Sequence, residues 1–359
     1  VPNIIYIFKD EVMSVTKRFL IVRLSSIGDV LHATPVARTL KEKYPDCHIT
    51  WIVSELSADL LRCNQYVDKL HVWSREKFEE AIKQKEFLKA YRIWQELNVF
   101  FSENTFDIAF DIHGIFISGM VTAASKAPLK IGMSNTKELN RFFMTKIAPP
   151  SDDIHVIKRY LSVLKLLDIS TKDFHTTLKI SEEAMNFAKQ FLKNHNLDKN
   201  KPLVAISPTT SWSSKNWPIE NYIEVMRKLH TYCNIILCGS KGDKFITQKI
   251  KDKVNLPLID AVGKTSLMEL GALLSQVNLL ISGDTGTLHM ADALNIKTIG
   301  IFGPTNHLQY GPLSILHKPI QGSAICAPCH KKRCKYCKQY CFDKITPKLV
   351  IDQVKVCLC

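Results

Sequence analysis

Short apolar runs, each ending in a polar turn and leading into a stretch of helical periodicity, recur along this chain and leave few folds open to it. In the first half the runs are "FLIVRL", "HITWIV", "KLHVW" and "DIAFDI"; in the second they are "PLVAIS", "NIILCG", "NLLISG" and "TIGIFG". Between them lie helical segments such as "VARTLKEKYP", the long "REKFEEAIKQKEFLKAYRIWQEL", "IENYIEVMRKLH" and "TLHMADAL". Strands that are apolar on both faces need cover on both faces, and strands separated by helices are joined by crossovers. The pattern therefore predicts α/β architecture with doubly wound parallel sheets. A length of 359 residues suits two such units. The pattern loosens around 168–202, so the expected division is 13–170, 171–345 and a closing helix over 346–359, with a cleft between the units.

Composition narrows the function classes. No apolar run approaches the roughly 20 residues needed to cross a bilayer. The opening "VPNIIYIFKDEV" lacks a basic leader, and the expectation is a cytoplasmic protein. Residues 1–12 read as an upstream extension before Met13, with an edge strand or membrane-contacting patch as the other reading. The net charge of +14 divides as +3 over residues 1–170 and +11 over 171–359, so the second half is the better candidate for an anionic ligand. No helix-turn-helix, aromatic RNA-binding motif or zinc-finger helix is present, and nucleic acid is not an expected partner. No G-x-G-x-x-G follows a strand, which argues against a nicotinamide or flavin enzyme.

Five strand-to-helix turns carry candidate chemistry, one in the first half and four in the second. In "RLSSIGDVLHATPVARTL", Asp29 follows the turn Ser25-Ser26-Ile27-Gly28 where a helix begins. It is either a helix cap or a carboxylate held at a strand's carboxyl end, where open α/β sheets bind their ligands. In "LLISGDTGTLHMADAL", Asp284-Thr285-Gly286-Thr287 opens a helix bearing His289, a suitable cradle for a phosphate; a simple cap is the alternative. "ISPTTSWSSKNWP" sets Thr209, Thr210, Ser211 and Lys215 in a hydroxyl-rich loop, where an ammonium suits a diphosphate. "LCGSKGDKF" and "DAVGKTSLMEL" add Asp243 and the Gly263-Lys264-Thr265 turn. Four such loops along one sheet would line a single nucleotide crevice.

Eleven cysteines include five within "CAPCHKKRCKYCKQYC". The two C-x-x-C pairs are only four residues apart, tight for one tetrahedral site, so the segment is either a structural zinc or iron loop or a set of reduced thiols. Elsewhere His155, Lys158 and Arg159 lie one helical turn apart and form either a solvated basic face or an acceptor contact. The helix at 75–101, with Phe78, Phe87, Tyr91 and Trp94 among lysines, either rests on a membrane or packs into the core.

"RLSSIGDVLHATPVARTLKEKYP", "SSKNWP" and "SGDTGTLHMADALNIKTIGIFGPT", in that order, resemble the bacterial ADP-heptose:lipopolysaccharide heptosyltransferases of glycosyltransferase family 9. The resemblance runs from about residue 18 to 356. It implies a GT-B fold, two Rossmann-like domains facing a central cleft, with the acceptor on the first and the nucleotide-sugar on the second. It further implies an inverting transfer of heptose from ADP-heptose to the inner core of lipopolysaccharide, on Kdo-lipid A or heptosyl-Kdo-lipid A. Another nucleotide-sugar or a protein acceptor is the alternative within the family; a non-catalytic binding module is the alternative outside it.

Carried onto this sequence, the resemblance makes Asp29 the catalytic base and Lys215 the partner of the donor diphosphate. Thr209, Thr210, Ser211, Asp243, Thr265, Asp284, Thr285, Gly286 and His289 are the other expected donor contacts. Arg23, Ser26, Gly28, His113 and Arg159 are expected on the acceptor side. Cys326, Cys329, Cys334 and Cys341 are the expected ligands of a structural metal, and catalysis is expected to need no cofactor. The expected partners are an ADP-sugar, the lipid A core acceptor and the inner-leaflet membrane surface, with the protein a peripheral monomer.

Overall fold

The computed structural model describes residues 16–151, 153–336 and 339–359; the extension expected over 1–12 lies outside the described residues, as does Cys337. The first unit is built on β1 (Arg18–Val22), β2 (His48–Ser54), β3 (Lys69–Trp73), β4 (Ile108–Asp111), β5 (Leu129–Gly132) and β6 (Lys146–Ile147). Its helices are α1 (Ile27–Lys43), α2 (Arg75–Lys83), α3 (Phe87–Glu103), α4 (Phe116–Ala124) and α5 (Val156–Leu161). The second unit has β7 (Leu203–Ser207), β8 (Asn234–Leu237), β9 (Ile259–Asp260), β10 (Leu279–Gly283), β11 (Thr298–Phe302) and β12 (His317–Gln321). Around it lie α6 (Glu182–Lys193), α7 (Ile219–Leu229), α8 (Lys244–Val254), α9 (Leu267–Leu274), α10 (Gly286–Ala293), α11 (His307–Tyr310) and α12 (Pro347–Leu358).

All pairings are parallel, and the strand orders are β3-β2-β1-β4-β5-β6 and β12-β11-β10-β7-β8-β9. Counted from its own first strand, the second sheet repeats the order of the first. Each order reverses between its first and fourth strands, β1/β4 and β7/β10, and such a reversal opens a crevice at the strands' carboxyl ends. The doubly wound α/β fold expected from the alternation of elements is thus found twice. The central strands are buried on both faces, as continuous apolar runs require.

The units share one core. Val30, Leu31 and Ala33 of α1 belong to the same apolar cluster as Leu280 of β10 and Met290 and Ala291 of α10. The chain between them is strapped to α1: Arg38 donates to the carbonyls of Asp173 (2.9 Å) and His175 (2.7 Å), and the Thr177 N–H donates to Thr34 Oγ1 at 2.9 Å.

One helix differs from the reading of its sequence. The segment expected as a single helix over 75–101 breaks into α2 and α3 at Lys85, which takes φ +61°. The Glu86 N–H reaches back to the Ala81 carbonyl at 2.8 Å, the bonding that ends a helix on a left-handed residue. Trp94 and Phe78 pack beside Trp73, but Phe87 and Tyr91 are exposed, so that stretch is core on one face only. Among the described residues no helix is long and apolar enough to cross a membrane.

Candidate active site

The side chains at the edges of the two crevices form two charged clusters. In the first, β1 ends at Val22, and Asp29 stands third in α1. Its Oδ2 accepts from Ser26 Oγ (2.9 Å) and, at 3.5 Å, from the Ser26 N–H. The helix-cap reading of Asp29 is therefore correct, and it coexists with a place at the crevice. Arg23 Nη2 lies 2.9 Å from the same oxygen, while Nη1 donates to the Ile112 carbonyl at 2.8 Å. Arg23, expected on an acceptor, is thus buried and committed to Asp29. Tyr160 donates to the other oxygen, Oδ1, at 2.7 Å. Desolvation disfavours the Asp29 carboxylate, but the Arg23 charge and the Tyr160 hydroxyl outweigh it and hold the group well below the usual carboxylate range.

Across the sheet reversal, "DIHG" folds around Asp111. Its Oδ1 accepts from the N–H groups of His113 (3.0 Å) and Gly114 (2.9 Å), and its Oδ2 accepts from Asn140 at 2.7 Å. Gly114 turns with φ +75°, a conformation natural to glycine. The Leu24 N–H donates to His113 Nδ1 at 3.1 Å. Burial and the Arg23 and Arg75 charges keep this imidazole neutral, so its proton sits on Nε2.

In the second cluster, β10 ends at Gly283 and Asp284 follows. Lys215 Nζ lies 2.6 Å from Asp284 Oδ2, Thr305 donates to the same oxygen at 2.7 Å, and His289 Nε2 stands 3.6 Å from Oδ1. Burial again opposes ionisation, but His289 and Lys215 hold Asp284 well below the usual range. Lys215 Nζ also lies 4.4 Å from the centre of the Trp212 ring. The Thr210 N–H donates to Asn216 Oδ1 at 2.8 Å, and its hydroxyl lies within bonding distance of Asn216 Oδ1 and the Trp212 carbonyl, so it serves the loop itself. Thr209 is buried beside it and Ser211 is exposed at the tip. Thr285 is the residue before α10 and Gly286 its first. Farther along the sheet edge, Asp243 Oδ2 accepts from the Ser240 N–H at 2.7 Å and closes the turn into α8, and Thr265 lies half-buried before α9.

The two clusters meet through α1 and α10. His32 Nε2 and His289 Nδ1 are 3.1 Å apart, both rings buried. A Cβ on Gly28 would come within 2.6 Å of the His289 ring, and one on Gly286 within 2.7 Å of Ile27. Only glycine at both places lets the helix ends approach so closely.

Of the basic trio after the first sheet, His155 Nε2 donates to the Gly311 carbonyl (2.8 Å) and ties the units together, and Lys158 pairs with Asp153 at 2.8 Å. Arg159 is half-buried, with its Nε buried and without a partner among the described residues. The cysteine segment is laced to the Lys215 loop: Ser214 Oγ donates to the Lys331 carbonyl (2.6 Å) and Gln339 Nε2 to the Ser213 carbonyl (2.7 Å). Burial and the neighbouring Cys334 push the Cys341 thiol up to about 11. Among the described residues no three His, Cys, Asp or Glu side chains converge as a metal group.

Four residues escaped the reading of the sequence. Thr305 follows a strand in "GPT", the same strand-to-turn signal that singled out Asp284. His32 lies one helical turn from Asp29. Arg75, which donates to Ser25 Oγ at 2.6 Å, and Tyr160 reach the cluster from distant segments and carry no local signal.

Comparison with known proteins agrees with this geometry. Residues 91–340 match the pattern of "Glycosyltransferase family 9 (heptosyltransferase)". The lipopolysaccharide core heptosyltransferase OpsX of Haemophilus influenzae is 28% identical over 309 residues, covering 85% of this chain and 84% of that protein. The family 9 glycosyl transferase of Veillonella parvula superposes with a TM-score of 0.78 at 23% identity, covering 96% of this chain and 98% of that one. The E. coli heptosyltransferase WaaC with ADP gives 0.72 at 20% identity, covering 95% and 99%. The GT-B fold that the motifs implied is the fold of this chain. Two doubly wound sheets, a charged cluster at the reversal of each, and a family match over most of the length lead to one conclusion: this chain belongs to glycosyltransferase family 9, the heptosyltransferase family.

Proposed function

We propose that this enzyme transfers heptose from ADP-heptose to the inner core of lipopolysaccharide with inversion, Asp29 serving as the base and Lys215 as the partner of the departing diphosphate. The observation that carries the reading is the meeting of the Asp29–Arg23 pair with the Asp284–Lys215 pair through the 3.1 Å contact of His32 and His289. An acceptor hydroxyl gives its proton to Asp29 as its oxygen bonds to the anomeric carbon. The bond from that carbon to the diphosphate breaks, and its electron pair leaves with ADP. Lys215 and the N–H groups opening α10 stabilise the charge that builds on the leaving group. Asp284, bound by Lys215, Thr305 and His289, holds that ammonium in place. This chemistry draws on side chains and backbone dipoles and asks for no cofactor.

The Nε2–H of His113 and the guanidinium of Arg159, whose Nε has no partner among the described residues, suit the hydroxyls and the acidic groups of a Kdo-lipid A or heptosyl-Kdo-lipid A acceptor. Thr209, Ser211, Thr285 and Gly286 line the donor side, with Asp243 and Thr265 toward the nucleoside. The assignment of acceptor binding to 13–170 and donor binding to 171–345 belongs to this reading. So do a cytoplasmic monomer resting on the inner leaflet and a structural metal on the cysteine segment, which would steady the loop of Lys215 and take no part in transfer.

The test is a donor panel of ADP-heptose, ADP-glucose and UDP-sugars with defined core acceptors, read as nucleotide release. Turnover confined to ADP-heptose with a lipid A core acceptor is the expected result. Preference for another donor, or release independent of any core acceptor, overturns it.

A further inference from the structure

The two oxygens of Asp29 are held unequally. Oδ2 receives Arg23 Nη2, Ser26 Oγ and, at 3.5 Å, the Ser26 N–H. Among the described residues Oδ1 receives one bond, the Tyr160 hydroxyl at 2.7 Å. A carboxylate oxygen has two lone pairs in its plane, so Oδ1 has one left over and Oδ2 has none.

Tyr160 is built to donate and nothing else. It lies in α5, 131 residues along the chain from Asp29, and its ring is buried with the Arg23 guanidinium 4.9 Å from its centre. Burial and the adjacent Asp29 charge keep the phenol protonated at any working pH, although Arg23 pulls the other way. Asp29 Oδ1 is the hydroxyl's bonding partner. The groups facing Asp29 are thus Arg23 from β1, Ser26 and His32 from α1, and Tyr160 from α5. Of these, Tyr160 alone touches the oxygen that has room for a proton.

We propose that Tyr160 is a positioning residue for the transfer: its hydroxyl fixes Oδ1 of Asp29 so that the remaining lone pair of that oxygen points at the acceptor hydroxyl. The inference rests on the reading of Asp29 as the base. When the acceptor proton arrives on Oδ1, Tyr160 keeps its own proton and its bond, so no second acceptor is needed. The hydroxyl holds the base through the step and does not relay.

A double-mutant cycle in the full-length protein tests this, with kcat and both KM values measured for Tyr160→Phe, Asp29→Asn and the pair. Tyr160→Phe keeps the ring beneath Arg23 and removes one hydrogen bond to a charged group. It should lower kcat about ten- to a hundredfold with the KM for ADP-heptose unchanged. In the Asp29→Asn background the same substitution should cost nothing further. An equal loss in both backgrounds, or no loss in either, overturns the role of Tyr160 while leaving Asp29 as the base. Near-normal turnover of Asp29→Asn overturns both readings together. If Tyr160→Phe does not fold, Tyr160→His, which can again donate, takes its place: kcat above that of Tyr160→Ala supports the proposal, and equality with Tyr160→Ala refutes it.

Discussion

The two crevices use the same parts in opposite order of depth. At the first, the cation is sunk and the carboxylate faces the cleft: the side chains of Arg23 and Asp29 are 7% and 33% exposed. At the second, the carboxylate is sunk and the cation lies nearer the opening: Asp284 is 6% exposed and Lys215 14%. Each exposed partner is held in place by its buried one, and each buried charge is compensated, as burial demands. The inversion matters because the two ends of a group transfer need opposite things. One end must accept a proton and the other must receive negative charge. On the proposed function, two copies of one sheet topology meet both needs by exchanging which member of an ion pair is the more accessible.

The largest effect should come from the exposed carboxylate. Asp29→Asn is expected to lower turnover by about 10²–10⁴ while leaving ADP affinity intact, the usual contribution of a general base. Steady-state kinetics beside calorimetry with ADP would reveal it, and a variant with ordinary turnover would reduce Asp29 to a helix cap. Lys215→Ala should weaken ADP and the ADP-sugar about tenfold to a hundredfold, and adenosine hardly at all. Calorimetric titration of the three ligands separates these, and equal losses for ADP and adenosine would put Lys215 away from the diphosphate.

The close approach of the units can be broken sterically. Gly28→Ala drives a methyl group into His289, and Gly286→Ala drives one into Ile27, so each should destabilise the protein by about 1–3 kcal/mol. Thermal melts measure this; unchanged melting in both variants would mean that α1 and α10 separate freely.

Acid sharpens the contrast at a finer level. Burial holds His32, His71, His113 and His155 of the first unit below the usual imidazole range, His71 down to about 4. In the second unit His317 is pushed down to about 3. The unfolded chain binds these protons from about pH 6.5 downward and the folded one does not, so stability declines from there until the folded values are reached. Asp29 and Asp284 behave differently: their contribution is full above about pH 4 and is lost only as pH falls through their depressed folded values. Hydrogen exchange between pH 6.5 and 4.5 should therefore show β1–β4 losing protection before β7–β10. Equal loss in both sheets would contradict it.

Much of this was legible in the sequence, for a physical reason. Central parallel strands such as "FLIVRL" and "NLLISG" are apolar on both faces, and the turns after them carry residues that only a ligand crevice or a helix cap requires. The short outer strands were not legible. "HKPIQ" puts a charge and a proline into an edge strand, and "LKIG" is a four-residue strand with only its last two residues buried, so the burial that writes a strand into sequence is weak in both. Within the site, Asp29, Lys215 and Asp284 announced themselves by position after a strand. Tyr160 and Arg75 could not, because their part in the cluster exists only once distant segments are folded together.

The contact between α1 and α10 also bears on where a hinge between the units would lie. Because the N-terminal ends of α1 and α10 touch beside the two clusters, a hinge axis through that contact would swing the outer rims widely and shift Asp29 and Asp284 little. Large substrates could then be admitted and discharged at the periphery while the reacting groups stay in register, with the pivot and the chemistry in one place.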